Sequence, residues 1–207
     1  MDDHSNPEHR AEADRFDRVL AFLRRAARLK DTLRSGRRTG DGALESVAAH
    51  SWSLCLLALL LEDDMDRVDM LQLLRLCILH DLGEAISGDV PAIDQDPAVD
   101  KSARERDDLL TLSDGLPEDI KHRILKLWAE YDAGETTEAQ WAKGLDKIET
   151  MLQHVTGRQD ADFDYLWNLG YGVKWTERTP LLKTLRAKVD VMTRAKAANF
   201  NGENPRA

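Results

Sequence analysis

Apolar residues recur along most of this sequence at the three-to-four-residue spacing of an α-helix, and no convincing run alternates as a β-strand would. The two most apolar segments, 45–61 and 66–82, are expected at the centre of the fold. The glycines at 36, 40 and 42 predict a loop, and further helices are predicted at 10–33, 98–112, 117–131, 137–155 and 179–197. We therefore expect an all-α single domain over residues 1–207, with its core at about 20–155, then a C-terminal helix and a short polar tail.

Charge and composition limit the partners of the chain. A net charge of −9 argues against a nucleic acid polymer or an anionic membrane, because both require a basic surface. The longest apolar stretch, Leu54–Leu61, is far shorter than the roughly 20 residues of a membrane span, and the polar N-terminus lacks a secretory signal. Cys55 and Cys77 form no metal-binding pair, so we expect free thiols in a soluble, cytoplasmic protein.

The dipeptide His80-Asp81 ends the strongly apolar segment 66–82, where a histidine and a carboxylate are costly to bury without partners. A divalent metal is one natural partner, because it takes imidazole nitrogen and carboxylate oxygen together. A histidine at a helix end, with aspartate as its cap, explains the dipeptide alone more simply. The dipeptide alone does not distinguish the two interpretations, so evidence from residues elsewhere in the chain is needed.

Two distant residues favour the metal. His50 precedes the apolar run of one central helix, and Asp146 lies beside the buried face of a later helix. Three helices could then present two imidazoles and two carboxylates to one point between them. Such a mixed set suits manganese, iron, cobalt or zinc better than calcium. Lys147 and Glu149, which flank Asp146, could contact the metal ligands and hold them in place.

Three blocks of sequence surround these residues, namely Glu45–Ser51, His80–Pro91 and Leu145–Gln153. Together they resemble the HD-domain superfamily of metal-dependent phosphohydrolases, and in particular its branch of 5′-deoxynucleotidases. The extended block after His80 is highly specific, whereas a bare His-Asp pair is weak. The resemblance covers residues 20–155 and implies a single HD-domain helical bundle with its metal site between core helices.

The resemblance also implies roles for individual residues. It implies a divalent metal as cofactor, catalytic duties for Glu84 and Asp89, and four metal ligands, His50, His80, Asp81 and Asp146. Glu84 follows Asp81 by three residues, so a continuing helical turn would put both on one face. Carboxylates there can take a proton from the attacking water and deliver one to the leaving oxygen.

A phosphate also needs cations, which the segment Arg34–Arg38 can supply because guanidinium groups pair bidentately with phosphate oxygens. We therefore predict Arg34 and Arg37 as substrate-binding residues. The related branch carries a tryptophan where this chain has Arg37, and a glutamate where it has Ala49. The first departure puts the choice of substrate in question. The second means that any polar support which the glutamate gives to the site must be absent or replaced.

These observations predict a metal-dependent phosphohydrolase that converts (deoxy)ribonucleoside 5′-monophosphates to nucleoside and phosphate. The same fold and metal could instead serve a cyclic nucleotide, guanosine tetraphosphate or a nucleoside triphosphate. A non-catalytic helical protein with a structural metal is a further alternative, although Glu84 and Asp89 speak against it because a structural site needs neither. The branch that the chain resembles tends to dimerise, so we also expect a homodimer.

Overall fold

The computed structural model describes residues 7–96 and 98–203, which are mostly helical. Its α-helices are α1 (Pro7–Ala26), α2 (Val47–Leu60), α3 (Met70–Leu79), α4 (Glu84–Ser87), α5 (Lys101–Leu112), α6 (Glu118–Ala133), α7 (Thr137–Thr156), α8 (Val173–Thr176) and α9 (Pro180–Glu203). Short 3₁₀ turns occupy Ala27–Lys30, Glu62–Asp64, Ala92–Asp94 and Tyr165–Leu169. The strands are β1 (Leu33–Arg37) and β2 (Leu44–Ser46). The prediction of an all-α fold is confirmed, with one small hairpin added.

Side-chain caps explain where several helices begin. Ser46, Asp69, Asp100 and Thr136 each precede a helix and accept a hydrogen bond from the backbone N–H three residues further on. Helix α6 ends at Gly134, whose positive φ of 62° is a left-handed conformation that glycine adopts without steric cost. Helices α5 and α7 therefore begin within three residues of their predicted starts. The predicted helix 10–33 is too long, because α1 ends at Ala26 and Leu33 begins β1.

The segment predicted as a loop around Gly36 is instead largely an antiparallel hairpin. Leu33 pairs with Ser46 and Arg37 with Leu44, and the register is irregular between them. The prediction that a helix begins at position 45 is also wrong, because that residue lies in β2. Neither strand is rich in β-branched residues. Because a two-stranded hairpin this short is marginally stable alone, it depends on packing against the rest of the fold. Here Gln153 of α7 donates a hydrogen bond to the Arg37 carbonyl at 2.7 Å.

Helix α7 lies at the centre of the main core and packs against α2, α3, α6, α8 and α9. The largest side chains at this junction are completely buried, among them Leu54, Leu73, Leu76, Leu145 and Met151. A second apolar cluster joins the end of α1 to α5, α6 and the first turn of α2. The two central segments predicted from their hydrophobicity, now α2 and α3, therefore lie against α7 as the predicted site requires.

The C-terminal helix α9 spans 24 residues and extends beyond the predicted end at 197. The predicted polar tail is therefore helical as far as Glu203, and its last residues, 204–207, lie outside the described part of the chain. The buried Arg186 anchors α9 by donating hydrogen bonds to the carbonyls of Asn168, Leu169 and Tyr171. Across the described ranges, no helix combines the length and the hydropathy needed to cross a membrane.

Replacing Leu73 with alanine should lower the free energy of unfolding by about 2–5 kcal/mol, because it opens a cavity in a closed core. Leu71, on the same helix, is 58% exposed and offers a matched control. Its replacement should change the free energy by less than about 0.5 kcal/mol. Urea unfolding followed by circular dichroism measures both, and equal stability of the two variants would contradict the packing of α3 against α7.

Candidate metal and active site

The four residues predicted as metal ligands lie together where α2, the end of α3 and α7 meet. His50 Nε2 lies 3.3 Å from Asp146 Oδ1 and 3.9 Å from Asp81 Oδ2. His80 Nε2 lies 3.0 Å from the same oxygen of Asp81. His50, His80 and Asp146 are buried, and each offers a ligand atom within 4.8 Å of the others. These groups are close enough to share one metal ion.

Both imidazoles are oriented by an acceptor at Nδ1. His80 Nδ1 lies 2.8 Å from the Cys77 carbonyl oxygen, and His50 Nδ1 lies 2.5 Å from Glu149 Oε2. Since each acceptor requires a proton on Nδ1, a neutral ring carries its lone pair on Nε2. Both Nε2 atoms are buried and have no hydrogen-bond partner among the described residues. Buried and unpaired imidazole nitrogens beside carboxylates fit a divalent metal.

The Asp146 carboxylate is held through one of its oxygens. Tyr131 Oη and Lys147 Nζ donate to Oδ2 at 3.0 and 2.8 Å, which leaves Oδ1 directed at His50. Burial opposes ionisation of Asp146, but Lys147 and the two histidines hold its pKa well below the usual range. The ring of Tyr131 also packs against His80, with 5.0 Å between the ring centroids. Asp146 is therefore an anion with one oxygen free for a cation.

Arg34 extends from β1 to the edge of this cluster. Its Nη1 donates to Asp81 Oδ2 at 2.9 Å and its Nη2 to Thr150 Oγ1 at 3.2 Å. Burial favours the neutral form of Arg34, but the surrounding carboxylates, Asp81 first among them, raise its pKa above the ordinary value. A permanent positive charge therefore stands next to the candidate metal ligands.

Glu84 opens the short helix α4, one turn after Asp81. Its Oε2 is buried and has no hydrogen-bond partner in the described chain. Burial and the neighbouring carboxylates Asp81 and Asp89 raise the pKa of Glu84 to about 10, which favours its protonated form. Burial also raises the pKa of Asp89, against the opposing effect of Arg34. Two carboxyl groups of altered acidity therefore stand beside the cluster.

Arg37 lies elsewhere. Its Nη2 pairs with Asp160 Oδ2 at 2.6 Å, in the loop after α7, and its Nη1 donates to the Gly42 carbonyl at 2.9 Å. The guanidinium therefore braces the hairpin and is not brought to the metal ligands. Its role in substrate binding stays a prediction, and its position gives that prediction no support.

Three polar residues near the cluster were not identified from the sequence: Glu45, Tyr131 and Thr150. Glu45 is 5% exposed, and burial together with Glu149 raises its pKa to about 7. It lines a small pocket together with Arg34 and Thr150. Glu45 lies inside the first histidine block and Thr150 inside the block 145–153, whereas no sequence signal indicated Tyr131.

Comparisons with known proteins agree with this arrangement. The HD domain family profile matches residues 26–184. The human protein named 5′-deoxynucleotidase HDDC2 is 33% identical over 136 residues, which are 65% of this chain and 66% of that protein. The Saccharomyces cerevisiae 5′-deoxynucleotidase YBR242W is 29% identical over 65% of this chain and 58% of its own length. The match to these relatives therefore spans about two thirds of their length or less.

A solved structure extends the similarity over nearly the whole chain. It is described as a predicted metal-dependent phosphohydrolase from Magnetospirillum magnetotacticum MS-1, with a TM-score of 0.77 and 26% identity. The similarity covers 90% of this chain and 95% of that one. A second structure, a conserved hypothetical protein from Pyrococcus furiosus, has a TM-score of 0.61 and covers 84% of this chain and 99% of that one, also at 26% identity.

Proposed function

This chain belongs to the HD domain family, and we propose that it is a metal-dependent phosphohydrolase that converts (deoxy)ribonucleoside 5′-monophosphates to nucleoside and phosphate. The observation that carries the proposal is the pair of buried, unpaired imidazole Nε2 atoms facing the carboxylates of Asp81 and Asp146. The substrate class is supported by the names of the human and yeast relatives, which are 5′-deoxynucleotidases.

We propose that one divalent metal is held by His50 Nε2, His80 Nε2, Asp81 and Asp146 Oδ1. Nitrogen and oxygen ligands in this mixture suit manganese, iron, cobalt or zinc. When bound, such a metal supplies a Lewis acid that activates water and offsets the charge of a phosphate. The buried carboxylates and the outer contacts of Tyr131 and Lys147 support this assignment.

The protein side chains then bind the phosphate and transfer the protons. Arg34 binds the phosphate oxygens and stabilises the charge that grows on them as water attacks phosphorus. Asp89 accepts the proton of the attacking water. As the bond from phosphorus to the 5′ oxygen breaks, Glu84 donates its proton to that oxygen, which leaves as the nucleoside hydroxyl. The raised pKa of Glu84 supports this role, because the donor must be protonated at neutral pH.

A substrate panel tests the proposed function. Purified protein loaded with Co²⁺ or Mn²⁺ is given nucleoside 5′-monophosphates, 3′-monophosphates, cyclic nucleotides, guanosine tetraphosphate and triphosphates, and the products are quantified. We expect the 5′-monophosphates to be hydrolysed fastest. Faster hydrolysis of another class of compound in the panel would assign that class as the substrate and leave the proposed metal site unchanged. No hydrolysis of any compound, with the metal bound, would favour a structural metal instead.

We further propose that the chain forms a homodimer in the cytoplasm. Helix α1 exposes a row of large apolar side chains, Phe16, Leu20 and Leu23, and α2 exposes Trp52 and Leu56. Large apolar side chains exposed in this way can belong to a protein–protein interface. The two free thiols are consistent with a reducing compartment. Sedimentation equilibrium of the full chain would give the dimer mass if the proposal is right and the monomer mass if it is wrong.

A further inference from the structure

We propose that Glu149 is a positioning residue that holds the imidazole of His50 with Nε2 directed into the metal site. The proposal rests on the metal centre assigned above, and it concerns a residue outside the four ligands. Glu149 Oε2 lies 2.5 Å from His50 Nδ1, and the two side chains are 6% and 0% exposed. The two nitrogens of an imidazole point in different directions, so an acceptor at Nδ1 determines where Nε2 points.

Helix α7 supplies both groups that act on His50. Asp146 and Glu149 are three residues apart, which places them on neighbouring positions of one helix face. Asp146 Oδ1 lies 3.3 Å from Nε2, while Glu149 contacts Nδ1 on the other side of the ring. One helix therefore places a proposed metal ligand on one side of the imidazole and a hydrogen-bond acceptor on the other. If the ring flipped or changed tautomer, it would lose a buried hydrogen bond.

The other histidine is anchored differently. His80 Nδ1 donates to the backbone carbonyl of Cys77, which is neutral and cannot be removed by substitution. The acceptor on His50 is a carboxylate, which makes the imidazole more basic and adds negative charge around a divalent cation. The two imidazoles of the site therefore differ in their second contact, and only that of His50 can be changed by mutation.

Co²⁺ affinity, measured by isothermal titration calorimetry on the full chain, tests the proposal without requiring catalysis. Glu149→Leu removes the acceptor and should weaken binding by about 10–100-fold. Glu149→Gln keeps an acceptor oxygen without the charge, so its affinity should lie between those of wild type and Glu149→Leu. The matched control is Glu138→Gln on the same helix, because Glu138 lies near the start of α7 and accepts a hydrogen bond from the Asp69 backbone N–H at 2.9 Å, away from His50. Its Co²⁺ affinity should stay close to wild type.

The visible absorption of bound Co²⁺ supplies a second readout, since it changes when an imidazole ligand is displaced. We expect an altered spectrum for Glu149→Leu and the wild-type spectrum for Glu138→Gln. Circular dichroism without added metal shows whether each variant folds. Should Glu149→Leu fail to fold, Glu149→Ala takes its place with the same expectations.

The outcomes separate this proposal from the proposed function. Wild-type affinity and spectrum in folded Glu149→Leu would overturn the role of Glu149 and leave the metal centre intact. An equal loss of Co²⁺ affinity in Glu138→Gln and Glu149→Gln would mean that removing a negative charge anywhere on α7 weakens metal binding, which also overturns positioning. A wild-type protein that binds no Co²⁺ would overturn the metal centre itself, and this proposal with it.

Discussion

Replacing Asp81 with alanine is expected to lower phosphate release from a nucleoside 5′-monophosphate by about 10³-fold, because a bound metal contributes several kcal/mol to stabilising the transition state. Asp81 Oδ2 lies 3.0 Å from His80 Nε2 and 2.9 Å from Arg34 Nη1. The substitution therefore removes a proposed ligand and also releases the guanidinium that is proposed to bind phosphate. Phosphate release at saturating Co²⁺ and the metal content of the purified protein measure the two effects together.

A surface aspartate provides the control for this experiment. Asp66 is 91% exposed and lies 3.6 Å from Arg67, which is 90% exposed. Asp66→Ala should retain wild-type activity and metal content. Asp81→Asn, which preserves the shape of the side chain, should behave like Asp81→Ala if the negative charge is what matters. A folded Asp81→Ala protein that hydrolyses substrate at the wild-type rate would exclude Asp81 from the site.

Replacing Glu84 with glutamine should slow hydrolysis of a nucleoside 5′-monophosphate by about 10²–10⁴-fold, the usual contribution of a general acid. The buried carboxyl of Glu84 has a pKa raised to about 10 by burial and by Asp81 and Asp89. It therefore carries the proton that an alkoxide leaving group needs, and an amide cannot deliver one. Initial rates at neutral pH, with metal content matched between the proteins, measure the effect.

The leaving group distinguishes proton donation from a structural effect. p-Nitrophenolate leaves without protonation, so Glu84→Gln should slow hydrolysis of p-nitrophenyl phosphate far less than hydrolysis of the nucleotide. Glu105→Gln is a suitable control because Glu105 is a partly buried neighbour that pairs with Lys101 at 3.2 Å. Equal losses on both substrates in Glu84→Gln would contradict a role in proton donation.

Much of this fold could be predicted from the sequence because its helices combine regular apolar spacing with clear caps. The predicted helix 137–155 corresponds to α7 at Thr137–Thr156. His50, His80 and Asp146 lie on or at the ends of helices that share one core. Because those helices were expected to pack together, the three side chains were expected to lie close to one another. The prediction of one domain over the full length stays a prediction.

The contacts that complete the site could not be predicted, because they depend on side-chain direction across large sequence separations. Glu149 was named as a residue that could hold the metal ligands, but its particular contact with His50, 99 residues away, was not predicted. The pairing of Arg37 with Asp160, 123 residues away, was not predicted either. Local spacing can place a residue on a helix face, but it does not determine which of several polar neighbours that residue meets.

The departure at Ala49 illustrates the same limit. A glutamate is expected there by resemblance, and with alanine in its place any polar support that it gives must be absent or replaced. In the structure, Glu149 of α7 lies against Nδ1 of the His50 ring. His50 therefore has a carboxylate partner at Nδ1 in this chain, which carries alanine at position 49.

The most direct test of the central claim is to remove the metal and restore it. The protein is stripped with a chelator, and phosphate release from a deoxyribonucleoside 5′-monophosphate is measured before and after Co²⁺ is added back. A hydrolytic site built on His50, His80, Asp81 and Asp146 predicts loss of activity with retained fold, followed by recovery near one metal per chain. Full activity in the stripped and verified metal-free protein would contradict it.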